Sequence, residues 1–279
     1  MTDCIKIISF NLRADFKRDK LNRWDFRKEY AMKLIKESGA TIIGVQELLP
    51  KMRTDVQNLL SNYTVLGWGR YKGAKPGSDE HSDIIIKNDD ADVDFYKTFW
   101  LSNKTEDDVS RAYYSFFPRI CTVAEVYVKS LNRNIRVFNT HFDHICGMAR
   151  VLGVNIILRT MSELNEKKPM PTILMGDMNA HPKSRPIRIL RENHHPYDNV
   201  HLTDVYSFCQ PNSIKNTHHG FKQKGLLAWL TGRTPIDYIF VSDEFEILDV
   251  YVDRSNENGR FPSDHFPIVA TLKLSTDTL

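Results

Sequence analysis

The chain has 279 residues, 41% of them hydrophobic and 26% charged, a composition that builds a large core and excludes a disordered, collagenous or fibrous protein. Its 38 Lys and Arg against 35 Asp and Glu leave a formal charge of only +3, too little for a protein that coats nucleic acid or anionic lipid without a specific site. No run of about 18 or more apolar residues is long enough for a membrane span, and the first residues do not form a signal segment.

Cys4, Cys121, Cys146 and Cys209 form no CxxC pair, so reduced thiols in a cytoplasmic protein are expected rather than a disulfide framework or a thiolate zinc site. Ile5–Ser9 and Thr41–Gln46 are short β-branched runs. Between them Phe26, Tyr30, Ala31, Leu34 and Ile35 recur at helical spacing before Gly39, which predicts strand, helix, strand. Pro50 opens a second helix carrying Met52, Val56, Leu59 and Leu60, which ends before Tyr63. Residues 67–82 are polar and Gly-rich and predict a surface loop.

Further strands are predicted over Ile84–Lys87, Val93–Phe99, Ile120–Val128 and Ile135–Thr140, the last two as a hairpin through Leu131–Asn134. A helix carrying Val151, Val154, Leu158, Met161 and Leu164 and a buried strand at Thr172–Met175 follow. The remainder reads as a helix near Ile187–Leu190, a His-, Asn- and Gly-rich stretch over 193–220, and strands at Ile236–Val241, Ile247–Val252 and Ile268–Leu272. No Pro-, Gly- or Ser-rich linker interrupts the chain, so residues 1–279 are expected to form one domain. Asp89, Asp90, Asp92 and Asp94 lack the Gly and Glu of a calcium loop and predict a solvated turn. The pairs His194-His195 and His218-His219 are weak metal signals, because adjacent side chains on an extended chain point to opposite faces.

Polar residues follow directly on the strand-like runs: Asn11, Glu47, His141, and Asp177 with Asn179. Asp237 begins a strand, and Asp264-His265 precedes the last one. Each alone has an ordinary turn or capping role. Together, carboxylates, carboxamides and imidazoles form the set that holds a hard divalent cation and activates water against a phosphate ester. Glu47 and Asp264 are oxygen donors suited to Mg²⁺ or Mn²⁺, with Asn11 offering a neutral oxygen, and the lack of nearby thiolates argues against zinc.

The blocks SFNLR, VQE, NTHFDH, GDMN, IDYIF and SDHFP, in that order, resemble the endonuclease/exonuclease/phosphatase superfamily of metal-dependent phosphoesterases, in the spelling of an uncharacterised bacterial subfamily. The resemblance runs from Asn11 to Pro267 and implies an α/β fold, a four-layer α/β/β/α sandwich of two mixed β-sheets flanked by helices. It implies Glu47 as principal metal ligand with Asn11 and Asp264 beside it. It also implies Asp177 as the residue that orients or deprotonates water, Asn179 as a partner of the nucleophile and a phosphoryl oxygen, and His265 backed by Asp237 at the phosphate. His141 matches a second imidazole, Arg119 a basic residue facing the site, and Glu80 a support for His141. Asp143 and His144 either face substrate or satisfy one another. Many relatives carry an acidic residue where this chain has Arg13, which favours a single-metal mechanism.

The expected activity is hydrolysis of a phosphate mono- or diester of a small phosphorylated metabolite or a glycan or lipid head group, with Mg²⁺ or Mn²⁺ as cofactor and no obligate protein partner. The runner-up is an RNA or DNA exonuclease or endonuclease of the same superfamily, not favoured at a net charge of +3. Its candidate contacts are Trp68, Arg70, Tyr71, Lys72 and Lys75 in one loop, and Phe221, Lys222, Lys224, Trp229 and Arg233 in another. A non-catalytic phosphate-binding scaffold is a third reading, against which the intact acid, base and metal positions argue.

Overall fold

The computed structural model describes residues 3–104, 109–112, 114–210, 214–221 and 234–275. In chain order these form β1 (Cys4–Asn11), α1 (Trp24–Ser38), β2 (Ile42–Gln46), α2 (Pro50–Leu59), β3 (Tyr63–Leu66), β4 (Ile84–Lys87), β5 (Ala91–Trp100), β6 (Ile120–Val128), β7 (Arg133–His141), α3 (Gly147–Lys167), β8 (Thr172–Asp177), α4 (Arg185–Arg191), β9 (Thr203–Asp204), β10 (Asp237–Val241), β11 (Phe245–Val252) and β12 (Ile268–Leu274). Two six-stranded sheets result, in the orders β11-β12-β1-β2-β4-β3 and β5-β6-β7-β8-β10-β9. Each sheet holds one parallel pair, β1 with β2 and β7 with β8, among antiparallel neighbours.

The period of two along the strands explains the layering. Ile5 and Ile7 of β1, Ile42 of β2, and Ile84 and Ile86 of β4 point into the core shared with the second sheet. Their neighbours Ile8, Phe10, Ile43, Val45 and Ile85 point the other way, onto Trp24, Ala31, Met32 and Ile35 of α1 and Met52 and Val56 of α2. On the far side α3 and α4 add Val154, Ile157, Met161, Ile187 and Leu190 to the shared core. The four-layer arrangement implied by the resemblance is therefore the observed one. A buried amide pair ties the sheets: Gln46 Nε2 donates to Asn139 Oδ1 at 2.7 Å, and Asn139 Nδ2 donates to the carbonyls of Val45 and Asp83. Among the described residues no helix is long and apolar enough to cross a membrane.

Local signals set most boundaries. Pro50 sits in the first turn of α2, and Gly39 closes α1 at φ +68°, in the left-handed region that a residue with a Cβ rarely enters. Gly176 has φ +147°, and a Cβ there would stand 2.0 Å from the Thr140 carbonyl oxygen, so β7 and β8 reach their parallel register only with glycine at this position.

The α1 face differs from the predicted one. Phe26 is exposed, and the inward positions at the helix start are Trp24 and Arg27. The Arg27 guanidinium is buried because it donates to four backbone carbonyls, those of Leu12, Arg13, Asn22 and Pro262, and burial brings it down to about 10. A cation on an apolar face thus pins the loop after β1 to the loop before β12. Strands β3 and β9 were not predicted: Tyr63–Leu66 is half-buried and follows a helix without a turn signal, and Thr203–Asp204 is too short for periodicity. The acidic turn before β5 is solvated as expected, with Asp90 paired to Lys87 and Asp92 to Lys129.

Candidate active site

The strand ends that face one another across the two sheets bring most of the predicted residues into one cluster. Asn11 ends β1, Glu47 follows β2, and Asp264 and His265 precede β12 of the first sheet. His141 ends β7, Asp177 ends β8, Asn179 follows it, and Asp237 begins β10 of the second. Arg119 lies just before β6 and Glu80 in the segment before β4.

Asp177 is the meeting point. Its Oδ2 accepts from Asn11 Nδ2 at 3.0 Å and lies 3.6 Å from His141 Nε2 and 3.9 Å from His265 Nε2, while its Oδ1 accepts the Asn179 backbone N–H at 2.8 Å. Burial first, and the Asp237 charge second, push its carboxyl well above the usual carboxylate range. Asn11 Nδ2 also donates to Glu47 Oε1 at 3.2 Å. Because Asn11 Oδ1 is taken up by the Arg13 backbone N–H, the amide orients the two carboxylates.

Glu47 and Asn179 both have left-handed backbones, at φ 57° and φ 45°, conformations that cost a non-glycine residue on the order of 1–2 kcal/mol. For Glu47 this turns one carboxylate oxygen toward Asn11 and the other onto the Ala14 N–H at 2.9 Å. Asn179 Nδ2 is anchored to the Phe142 carbonyl.

His265 rests on Asp237, its Nδ1 lying 2.9 Å from Oδ2 and 3.2 Å from Oδ1. The Thr217 hydroxyl donates to the same carboxylate at 2.5 Å. Burial works against the charged ring, but the Asp237 charge and hydrogen bond outweigh it and raise His265 to about 10. His141 is the opposite case: burial, then the nearby Arg119 and Arg70 charges, hold it well below the usual range, so it is neutral. One imidazolium and one imidazole thus flank the same carboxylate oxygen. Glu80 lies 4.0 Å from His141 Nδ1 but is gripped by Arg70 through two guanidinium nitrogens at 3.0 and 3.1 Å, so its contact with His141 is secondary.

Arg119 is buried, its Nη2 lies 3.0 Å from His144 Nδ1, and its Nε makes no hydrogen bond but lies 3.9 Å from Asp143 Oδ2. His144 is exposed beside it. Asp143 is turned inward: it accepts from the backbone N–H groups of Ile145, Cys146 and Phe116 and from the Ser115 hydroxyl, so its carboxylate builds the loop.

Asp264 is buried, its Oδ1 has no hydrogen-bond partner, and its Oδ2 lies 3.5 Å from Arg13 Nε and 3.5 Å from His218 Nε2. Burial would raise its carboxyl, but the His218 contact and the His265 and Arg13 charges hold it below the carboxylate range. Arg13 also meets Asp19 at 2.9 Å and Glu47 at 4.0 Å, a cation lodged among three carboxylates. A buried carboxylate with an orphaned oxygen, sharing Arg13 with Glu47 and grouped with His218 and His265, is a donor set that fits a divalent cation.

Two contributors were missed, Thr217 and His218. Thr217 acts through Asp237 and carries no sequence signal of its own, and Arg70, expected as a nucleic-acid contact, is instead held on Glu80. His218 was set aside because adjacent histidines diverge, yet that divergence is what puts it at the site: His218 faces Asp264 while His219 stacks on Phe266 at 4.3 Å. In the loop before β4, Arg70 is buried on Glu80, Lys72 lies over Trp100 and Lys75 over Tyr71. Of the second basic cluster, Lys222, Lys224, Trp229 and Arg233 lie outside the described residues.

The Endonuclease/Exonuclease/phosphatase family model matches residues 8–265. The structure is similar to that of an endonuclease/exonuclease/phosphatase from Bacteroides vulgatus, with TM-score 0.85 and 26% identity over 98% of this chain and 99% of the other. It is also similar to a mannosyl-6-phosphatase from Bacteroides thetaiotaomicron, with TM-score 0.80 and 27% identity over 96% and 99%. A more distant likeness, 22% identity over 90% of this chain, is to the CCR4-Not complex 3'-5'-exoribonuclease subunit Ccr4 of Kluyveromyces lactis, of which the chain spans 38%.

Proposed function

The chain belongs to the endonuclease/exonuclease/phosphatase family, whose members hydrolyse phosphoester bonds, and from that premise we propose that it is a divalent-metal-dependent phosphatase of a small phosphorylated metabolite, a sugar phosphate foremost. The observation that carries this reading is the convergence of Asn11, His141 and His265 on one buried oxygen of Asp177, beside the partnerless oxygen of Asp264. A core site of this cost persists only where it has work to do.

Glu47 and Asp264 would hold the cation, Mg²⁺ or Mn²⁺, with Asn11 orienting Glu47. When bound, the ion supplies positive charge against the phosphoryl oxygens. Asp177, with its proton affinity raised by burial, takes the proton of the attacking water, which the Asn179 side chain helps to place. His265, kept charged by Asp237, donates to a non-bridging oxygen as negative charge grows there. Arg119 brings a second buried cation, paired loosely with Asp143, and His144 extends that edge toward the ester's organic group. Neutral His141 stands on the other side of Asp177, placed to hydrogen-bond a phosphoryl oxygen rather than to protonate the leaving group.

Substrate size is argued from three features. The mannosyl-6-phosphatase likeness covers nearly the whole of both chains. Lys72 and Lys75, exposed where they lie over aromatic rings, are two cations, fewer than the roughly six to ten phosphate contacts of a strong polynucleotide grip. A cleft of about 870 Å³, lined by Ile145, Met148, Tyr114 and Arg150 but by none of the site residues, adjoins the loop of Asp143, whose carbonyl accepts from Arg150, and has room for a sugar.

The test is a hydrolysis screen of purified protein with Mg²⁺ or Mn²⁺ against phosphorylated sugars, nucleotides, phospholipid head groups and labelled oligonucleotides. The expected best substrate is a sugar phosphate. Preferred cleavage of oligonucleotides would overturn the reading in favour of a nuclease.

A further inference from the structure

His218 occupies a position in the site that no motif assigned to it. Its Nε2 lies 3.5 Å from Asp264 Oδ2, and its ring stands 4.6 Å from that of His265, tilted by 48°. The backbone holds it there from both sides. His218 pairs with His265 in an isolated antiparallel bridge, the N–H groups of His219 and Gly220 donate to the Asp264 carbonyl at 2.8 and 3.2 Å, and the Phe266 N–H donates to the Thr217 carbonyl at 2.7 Å. Asn216 Nδ2 fastens the His218 carbonyl at 3.2 Å. The imidazole is therefore carried by a segment stitched to the loop that bears Asp264, with its solvent-facing side open.

A histidine beside an aspartate is usually an ion pair and nothing more. Two observations go further. The second oxygen of the same carboxylate, Asp264 Oδ1, is buried and has no hydrogen-bond partner, so the pair leaves an acceptor unsatisfied at a cost of about 1–3 kcal/mol. In addition, one atom each of His218, Asp264 and His265 lie within 4.8 Å of one another, the spacing at which donors share an ion. Of the two imidazoles, His265 has its Nδ1 committed to Asp237, whereas His218 has no such carboxylate behind it and presents Nε2 to Asp264.

We infer that His218 Nε2 is a ligand of the cation held by Asp264, which makes the centre a mixed nitrogen and oxygen site that prefers Mn²⁺ or Co²⁺ to Mg²⁺. The chemistry follows from the donor set. An imidazole nitrogen adds little for Mg²⁺, which favours oxygen and retains its waters, and more for the later divalent ions along the Irving–Williams series. This assignment rests on the reading of Glu47 and Asp264 as the metal end of the site and adds to it the identity of one donor.

The test uses the full chain stripped of metal, with Mn²⁺ and Mg²⁺ binding measured by calorimetry and the Mn²⁺ complex examined by pulsed EPR for coupling to a directly bound ¹⁴N. His218→Asn removes the ring, and His218→Phe keeps a ring against His265 while removing the donor, so a loss common to both is not a packing effect. The expected result is ¹⁴N coupling in the wild type that disappears in both variants, with Mn²⁺ affinity weakened by roughly tenfold or more and Mg²⁺ affinity by less than about threefold. Mn²⁺ bound without nitrogen coupling, or coupling that survives in both variants and so belongs to His265, overturns the assignment and leaves the metal reading standing. Failure of Mn²⁺ to bind the wild type, or binding indifferent to Glu47→Gln and Asp264→Asn, removes both.

Discussion

The pairing of His265 with Asp237 gives the sharpest quantitative test of the site. Asp237→Asn keeps the shape of the side chain and removes its charge. In the native protein His265 titrates at about 10 rather than at its ordinary 6.5, a difference that at ~1.36 kcal/mol per pH unit amounts to roughly 5 kcal/mol between the two protonation states. Burial pulls the other way, so once the Asp237 charge and hydrogen bond are gone His265 should fall toward its ordinary value, with only the Asp177 and Asp264 charges left to oppose burial.

The sign is fixed by linkage. A pKa raised in the folded state contributes stability that is complete below about 6.5 and is lost as the pH climbs through about 10. Asp237→Asn should therefore be less stable than wild type at neutral pH, with the gap closing above about pH 10. The rate follows the same proton. Wild-type kcat should rise as the Asp177 carboxyl ionises at about pH 7 and then stay level to about pH 9, whereas the variant should lose about tenfold per pH unit above about 6.5 and stand roughly 30-fold below wild type at pH 8. The assay is kcat against pH at saturating metal, beside an NMR titration of the labelled histidine rings. Superimposable profiles, with His265 titrating unchanged in the variant, would refute the argument.

Glu47→Gln should lower both cation binding and turnover, the latter by at least about 10²-fold, and full turnover in excess chelator would sink the metal assignment. His219 is buried with neither ring nitrogen partnered, and burial lowers it to about 4. The unfolded chain thus takes up its proton first, and roughly 3 kcal/mol of stability should be lost as the pH falls from 6.5 to 4. His219→Phe should remove that loss and raise Tm at pH 5 relative to wild type far more than at pH 8. Gly176→Ala drives a Cβ into the Thr140 carbonyl and should cost more than about 4 kcal/mol, read as a collapse of Tm or of soluble yield. Between 50 and 200 mM salt, kcat/KM for a small phosphate ester should change little. A loss of about 10³-fold, the signature of an enzyme gripping many phosphates, would favour the nuclease reading.

How much of this was legible beforehand depended on the reach of each signal. Strands such as Ile84–Lys87 and Ile120–Val128 carry their pattern within a few residues and lie where expected. The cluster around Asp177 was legible because each member directly follows or precedes such a strand. Arg27 and Asp143 were not, because their structural roles depend on partners supplied by the folded loops: the Pro262 carbonyl for one and the Ser115 hydroxyl and Phe116 N–H for the other. Phe26 was misplaced for a related reason, since helical spacing alone does not tell which of two adjacent faces the buried Arg27 will claim. His218 shows that a geometric rule used to dismiss a pair can apply to both members and still leave one of them against Asp264.

Because half of the cluster comes from each sheet, the hydrogen bond from Asn11 to Asp177 acts as a gauge of the gap between them. That gap is set by small contacts far from solvent. A Cβ added at Gly44 of β2 would stand 2.5 Å from Met175 Sδ and 2.8 Å from Asn139 Oδ1, so an alanine there works as a shim between the sheets. Such a shim would press on Met175 and on the Asn139 oxygen that accepts from Gln46, which ties the spacing of the strand ends bearing Asn11 and Asp177 to the packing between β2 and β8. On the proposed reading, turnover should therefore be sensitive to substitution at Gly44, and the buried faces of β2 and β8 help to set the geometry of the site although they do not line it.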